Sequence, residues 1–201
     1  MTQTELARFF QQAAHYPAPL RQQRNELLQA ASHREAAVLL AVVYRQAQWQ
    51  ILLTRRADTL RHHTGQIALA GGRRDKADAS LTCTALRETT EETGIEAAHW
   101  QTFPLLPRYY TPSGYAVSPV PALCTDNPPT QANTDEVAEI FYLPLSFALQ
   151  QNHYASRRFT HEGRTLDVPT LPYQHYDIWG LTAMILYDLA ERYRHYRGQT
   201  A

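Results

Sequence analysis

The sequence predicts an α/β fold, a sandwich in which helices cover a mixed β-sheet. Two patterns carry that prediction. Short apolar runs with the length of buried strands recur at residues 36–44, 49–54, 115–123 and 137–143. Helical patterns fall between and around them. Composition supports a packed core, with 44% hydrophobic and 19% charged residues in a chain of 201.

The elements follow in chain order. Residues 4–15 read as a short helix, after which Pro17 and Pro19 break the pattern. Residues 36–44 (AAVLLAVVY) form a continuous apolar run, short enough for a buried strand. Residues 46–48 suit a hairpin turn into a second strand at 49–54, and residues 65–69 are a third strand candidate. Gly71 and Gly72 break the chain into a loop. Asp78 or Ser80 can cap a helix that runs to Thr93, with Gly94 ending it. Residues 100–106, 115–123 and 137–143 read as further strands. The last helix is expected at 176–196, with Ile178, Leu181, Ile185 and Leu189 on an apolar face and Met184 beside it. The expected organisation is an N-terminal helical extension over residues 1–35, packed on a main domain over residues 36–201.

Charge and cysteine usage narrow the function. Nineteen basic and 19 acidic residues give zero formal charge, which argues against general nucleic-acid binding. Any polyanion must be met by a local cluster. No apolar run approaches the length needed to cross a bilayer, and residues 1–12 lack the features of a signal peptide. Cys83 and Cys124 lie in no metal or redox spacing and read as buried or half-buried thiols in a reducing compartment. A soluble cytoplasmic protein with no membrane or nucleic-acid partner is the expectation. The tyrosine-rich C-terminal segment is a candidate homodimer surface.

The informative segment is the end of the helix that Gly94 closes. Glu88, Glu91 and Glu92 stand three and four residues apart, so their side chains share one helix face. Like charges there repel, and the helix dipole disfavours anions in a last turn. A divalent cation reverses both penalties, because carboxylate oxygens are the ligands Mg²⁺ and Mn²⁺ prefer. Arg87 can pair with Glu91 at i,i+4 and hold it. A bare ExxEE is more often a solvated helix end. Here a Gly-Gly loop precedes the helix, a cap opens it and a glycine follows the carboxylates.

The segment from Gly72 resembles the box of the Nudix hydrolases, G-x5-E-x7-R-E-U-x-E-E-x-G-U, where U is a bulky aliphatic residue. Arg87, Glu88, Glu91, Glu92, Gly94 and Ile95 fall in order. Thr89 stands where an aliphatic residue is usual. Asp78 stands where the first Glu belongs, one residue farther from Arg87 than in the pattern. The resemblance implies an α/β/α sandwich with a mixed β-sheet. It also implies hydrolysis of a diphosphate linked to a nucleoside, with Mg²⁺ or Mn²⁺ held by Glu88, Glu91 and Glu92 and one glutamate helping to activate water. Gly72 and Glu136 are further candidate metal ligands, and Arg87 joins the three glutamates as a candidate catalytic residue.

Upstream, residues 52–72 (LLTRRADTLRHHTGQIALAGG) resemble the branch that cleaves coenzyme A and its thioesters, whose signature is close to L-L-T-x-R-S-x-x-L-R-x-H-x-G-Q-x-A-F-P-G-G. Leu69-Ala70 replaces Phe-Pro. Thr111-Pro112-Ser113-Gly114-Tyr115, Asp135-Glu136-Val137 and Trp179-Gly180-Leu181-Thr182-Ala183 also resemble this branch. Between Ile51 and Arg74, five arginines stand against one acid, Asp58. Guanidinium forks suit phosphate oxygens. Arg56, Arg61, Gln66, Gly71, Ser113 and Tyr115 are therefore the candidate substrate-binding residues, and coenzyme A is the expected small-molecule partner. Ser113-Gly114 reads as a turn near the pocket, not a nucleophile, and His161 and His175 read as surface or structural residues. Another nucleoside diphosphate derivative such as ADP-ribose, or a non-catalytic binding module on the same fold, stays open at this point.

Overall fold

The computed structural model describes residues 1–28, 33–58 and 65–200. In chain order the elements are α1 (Gln3–Gln12), α2 (Pro19–Leu28), β1 (Arg34–Arg45), β2 (Gln48–Arg56), β3 (Ile67–Ala68), β4 (Gly71–Arg73), α3 (Leu81–Thr93), β5 (Gln101–Thr102), β6 (Tyr109–Tyr110), β7 (Tyr115–Cys124), β8 (Val137–Pro144), α4 (Leu145–Ala148), β9 (Ala155–His161), β10 (Arg164–Tyr173), β11 (Tyr176–Ile178) and α5 (Gly180–Thr200).

β1 is the centre of a mixed sheet that joins β1 to β8. It runs parallel to β7 along Arg34–Val43 and antiparallel to β2 at Val42–Arg45. At its other end the sheet splays. Ala36–Val38 of β1 pair with β4, while Thr54 and Arg55 of β2 pair with β3. The chain segment from β3 to β4 therefore sits in the fork between β1 and β2, and this fork positions the site.

The apolar run of β1 is buried because both of its faces are covered. Leu39, Ala41 and Val43 join Leu52, Val120 and Ala122 under α3. Leu40 and Val42 point the other way with Ile51 and Leu53, into a core that holds Leu6, Phe9 and Phe10 of α1 and Ala183–Leu186 of α5. This is the period-two alternation of a strand buried on both sides. A second sheet orders β11-β10-β9 beside α5. Among the described residues no helix is long and apolar enough to cross a membrane.

Several sequence expectations are corrected. The first helix gives way at Ala13–His15 to a 3-10 turn, and Pro19 opens α2, where its missing N–H is not needed. Gly71-Gly72 is not a loop but strand β4, because β1 supplies it with a ladder. The expected strand at 100–106 is reduced to Gln101–Thr102, and that at 65–69 to Ile67–Ala68. The last helix begins at Gly180, so Tyr176 and Ile178 belong to β11. Its middle is buried nearly all round, because α1 covers the side that the sheet does not. Cys124 is buried, whereas Cys83 is exposed, and both are free thiols. The turn at 46–48 is tight: Gln46 and Ala47 take φ of 50° and 59°, as two-residue hairpins require.

Candidate active site

The site is built on the C-terminal half of α3. Ser80 caps the helix by accepting from the Cys83 N–H at 3.2 Å, and Gly94 ends it at φ 75°, its N–H bonded to the Thr90 carbonyl. Thr89, at the aliphatic position of the box, is fully buried. Its hydroxyl donates to the Ala85 carbonyl at 2.7 Å, so no polar atom is stranded and its methyl group can pack.

Arg87 organises the entry to the helix. Its Nε and Nη2 donate to the two carboxylate oxygens of Asp78 at 3.1 and 3.0 Å, a two-pronged pair. Asp78 also accepts from the Thr84 hydroxyl and the Asp75 N–H, each at 2.9 Å. The Arg87 fork, with these bonds, holds the Asp78 carboxyl well below the usual carboxylate range. Asp78 in turn raises the Arg87 guanidinium above its ordinary value. The expected i,i+4 pair with Glu91 is present at 3.1 Å, and Glu88 lies 3.0 Å away. The sequence offered Asp78 as a candidate cap and at the first glutamate position of the box; its two-pronged pair with Arg87 comes from the fold.

The three glutamates differ in environment. Glu92 is buried at 4% exposure. One of its oxygens accepts from the Gly71 N–H at 3.2 Å, and the other lies 3.5 Å from the Thr54 hydroxyl. Burial pushes its carboxyl up to about 7, against the Gly71 bond and the nearby Arg56 charge, while Glu88 and Glu136 add to the rise. Glu88 is half-buried and also raised, first by burial. Glu91 is exposed and turned to Arg87. Among the described residues no three carboxylate, imidazole or thiol side chains already meet at one point. Arg87 pairs with both Glu88 and Glu91.

The residues nevertheless fit a hard divalent cation. A Cβ on Gly72 would fall 2.4 Å from the Glu88 carboxyl carbon, so the bare glycine is the cradle in which that carboxylate lies. Glu88, Glu92 and Glu136 share one electrostatic neighbourhood, and the donor set is all oxygen. Gly71 serves differently. Its Cβ would strike the Ala37 carbonyl oxygen at 2.3 Å, so only glycine permits β4 to lie against β1 here.

The arginines of residues 51–74 separate by partner. Arg55 pairs with Asp58 at 3.0 Å and Glu139 at 3.7 Å. Arg74 pairs with Glu35 at 2.8 Å, and Arg73 with Asp75 at 3.8 Å. Arg56 makes no ion pair with a described residue, and its charge acts on Glu92. Arg61 lies outside the described residues. Gln66 is half-buried, its carbonyl accepting from the Arg56 N–H at 3.0 Å. Leu69 and Ala70 are buried, and the Ala70 carbonyl is tied to the Leu39 N–H at 2.8 Å. Glu136 is exposed just before β8, its carbonyl accepting from the Ala57 N–H. Ser113 lies in the turn before β7, and Tyr115 opens that strand opposite Arg34 of β1. There Arg34 stacks on the Tyr115 ring at 4.1 Å and donates to the Ser113 carbonyl at 3.1 Å.

A loop and helix that place three glutamates beside a glycine cradle, on a splayed mixed sheet, match a known family. Residues 33–162 match the model of the NUDIX domain. This chain belongs to the Nudix family. A relative from Salmonella paratyphi B, named as an uncharacterized Nudix hydrolase, NudL, is 42% identical over 159 residues, covering 79% of this chain and 82% of the relative. The NudL of Salmonella newport matches to the same extent. Among solved structures, the MutT protein of Methanosarcina mazei Go1 covers 84% of this chain and 99% of its own at 17% identity, with a TM-score of 0.53. A MutT/nudix family protein of Enterococcus faecalis covers 98% of this chain and 75% of its own at 16% identity, with a TM-score of 0.51. These structures show the Nudix fold, an α/β/α sandwich with a mixed sheet, as the sequence predicted. The chain is thus a Nudix hydrolase, of a family that works with divalent cations.

Proposed function

We propose that this Nudix hydrolase cleaves the diphosphate bond of coenzyme A or its thioesters, giving 3′,5′-ADP and 4′-phosphopantetheine or its acyl form. The observation that carries the substrate is the run of residues 52–72, which resembles the coenzyme A branch and leads directly into the glycine cradle. Glu88, Glu91 and Glu92 are the residues that would hold Mg²⁺ or Mn²⁺, with Gly72 and Glu136 as further ligands. When bound, the cation neutralises the diphosphate and lowers the pKa of attacking water.

The protein's own groups divide the remaining work. Arg87 keeps Glu88 and Glu91 in reach of the cradle through its two-pronged hold on Asp78. The Gly71 N–H fixes one oxygen of Glu92 and leaves the other toward Thr54. Arg56, without an ion-pair partner among the described residues, has donors to offer a phosphate oxygen. Arg61, Gln66, Gly71, Ser113 and Tyr115 complete the proposed substrate contacts.

The test is hydrolysis of coenzyme A with Mg²⁺ and then Mn²⁺, products separated by chromatography, with ADP-ribose in parallel. Glu92→Gln removes a ligand charge and should depress turnover by about two orders of magnitude or more. Appearance of 3′,5′-ADP and 4′-phosphopantetheine, lost in that variant, is the expected result. Cleavage of ADP-ribose alone would replace the substrate and keep the chemistry. Undiminished activity in Glu92→Gln would overturn the metal assignment.

A further inference from the structure

The residues that precede the matched family segment reach into the substrate end of the sheet. β6 is an edge strand, paired on one side with β7 through Tyr109↔Val117 and Tyr110↔Ala116. The outward backbone groups of such a strand ordinarily go to water or to another strand. Here side chains of α2 take them. The Asn25 amide nitrogen donates to the Arg108 carbonyl at 2.8 Å, and its oxygen accepts from the Tyr110 N–H at 3.0 Å. Arg24 donates to the Tyr110 carbonyl at 2.5 Å, and Arg21 to the Arg108 carbonyl at 3.2 Å.

A side-chain amide offers a donor and an acceptor as a peptide group does, so Asn25 meets β6 as a neighbouring strand would. Asn25 and Arg24 are 9% and 6% exposed. Burying such groups is unfavourable unless their polar atoms are satisfied, and the backbone of Arg108–Tyr110 supplies the partners. From the other side, the Tyr109 hydroxyl donates to Asp188 of α5 at 2.6 Å, wholly buried. β6 is thus held between α2 and α5, both outside residues 33–162.

β6 leads directly into the turn that carries Ser113 and Tyr115. That turn is closed by Thr111 N–H to the Tyr115 carbonyl at 2.9 Å and by Tyr115 N–H to the Thr111 hydroxyl at 3.0 Å. It stands at the forked end of the sheet. Arg34 opposes Tyr115 across β1 and β7, and three residues farther along β1 Ala37 opposes Gly72. His33, at the head of β1, stacks on Tyr110 with ring centroids 4.2 Å apart.

We propose that Asn25 is a positioning residue for the substrate site: with Arg21 and Arg24 it sets the course of Arg108–Tyr110, and so the placement of Ser113 and Tyr115. The inference rests on the reading of those two residues as substrate contacts. The test uses the full chain and compares Asn25→Ala, Asn25→Asp and Tyr115→Ala. Two quantities are read: hydrogen exchange at the Tyr110 amide, and kcat and KM with coenzyme A, or with ADP-ribose if that is the diphosphate cleaved. In Asn25→Ala the Tyr110 amide should exchange at least about tenfold faster. KM should rise about tenfold, as expected for two lost hydrogen bonds, with kcat within about twofold of wild type.

Asn25→Asp keeps the acceptor for Tyr110 and loses the donor to Arg108. It should therefore retain amide protection and recover part of the KM. If Asn25→Ala does not fold, Asn25→Asp decides the matter, and an unchanged KM there overturns the proposal. Unchanged Tyr110 exchange in Asn25→Ala also overturns it. So does faster exchange with an unchanged KM while Tyr115→Ala raises KM. If Tyr115→Ala leaves KM unchanged as well, the substrate reading of the turn falls, and the positioning role falls with it.

Discussion

Two adjacent glycines at the fork of the sheet should answer to alanine in opposite ways. At Gly72 the added methyl would sit 2.4 Å from the carboxyl carbon and one oxygen of Glu88, and 2.5 Å from the other oxygen. Restoring ordinary contact displaces that carboxylate by about 1 Å. The carboxylate ends a flexible side chain, so the displacement costs one off-rotamer torsion, about 1 kcal/mol. The unfolded chain loses entropy with alanine, which offsets a similar amount. Stability should therefore change little. A 1 Å displacement in a catalytic constellation, however, costs about 100-fold in rate. At Gly71 the methyl would meet backbone, the Ala37 carbonyl oxygen at 2.3 Å and Val38 Cα at 2.6 Å. Neither can turn aside without opening the β1–β4 ladder, so that variant should lose about 3 kcal/mol or more. The assays are urea unfolding without metal, Mn²⁺ titration by calorimetry, and diphosphate hydrolysis. Gly72→Ala should unfold near the wild-type midpoint while binding Mn²⁺ more weakly and turning over far more slowly. A Gly72→Ala enzyme with wild-type turnover would refute the cradle, and one as unstable as Gly71→Ala would refute the division between the two glycines.

Two further perturbations separate charge from packing. Asp78→Asn removes the partner that Arg87 grips, so turnover should fall with KM little changed. Since the Asp78 carboxyl is held below its ordinary value, it stabilises the fold above about pH 4 and loses that effect as pH falls; the variant should show a shallower loss of stability in acid urea melts. Asp188 is 1% exposed, and burial pushes its carboxyl from 3.8 up to about 7. The folded state therefore binds more protons than the unfolded chain between about pH 4 and 7, and stability falls as pH rises through that window, by roughly 4 kcal/mol at most. Asp188→Asn, which still accepts from Tyr109, should flatten that fall in urea midpoints at pH 4.5 and 7.5; equal slopes in both proteins would contradict the assignment.

What the sequence disclosed follows from which forces are local. α3 was legible, with Asp78 or Ser80 as its cap and Gly94 at its end, because caps and the glutamate spacing act within a few residues; the fold selects Ser80. β1 and β2 were legible because a strand buried on both faces must be apolar throughout. The sheet of β9 to β11 was not. β9 is exposed at most positions and shows no alternation, and its turn into β10 uses Glu162-Gly163 where Asn-Gly would have signalled a hairpin. β4 was missed because two glycines normally interrupt a chain, and only β1, far away in sequence, makes them a strand. The same limit hid Asn25 and the distant acids that occupy the other arginines. Arg56 was already set apart by its place in the signature, whereas Glu139 and Glu35 come to Arg55 and Arg74 only in the fold.

Asp78 shows how a departure from a family pattern can preserve its physics. Aspartate is one methylene shorter than the glutamate expected there, which shortens its reach by about 1.5 Å. The stretch from Asp78 to Arg87 is one residue longer than in the pattern. Read separately, each change loosens the pairing of acid and arginine. In the fold they act together. The turn from Asp75 to Asp78 closes on itself through the Asp78 N–H to the Asp75 carbonyl at 3.1 Å, and carries the Asp78 backbone toward α3. The Thr84 hydroxyl then fixes the carboxylate at the first turn of the helix, and both oxygens face the Arg87 fork. The turn and the Thr84 hydroxyl thus bring a short acid into contact with the fork. In this chain the shorter acid and the longer spacing leave the pair of Asp78 and Arg87 complete.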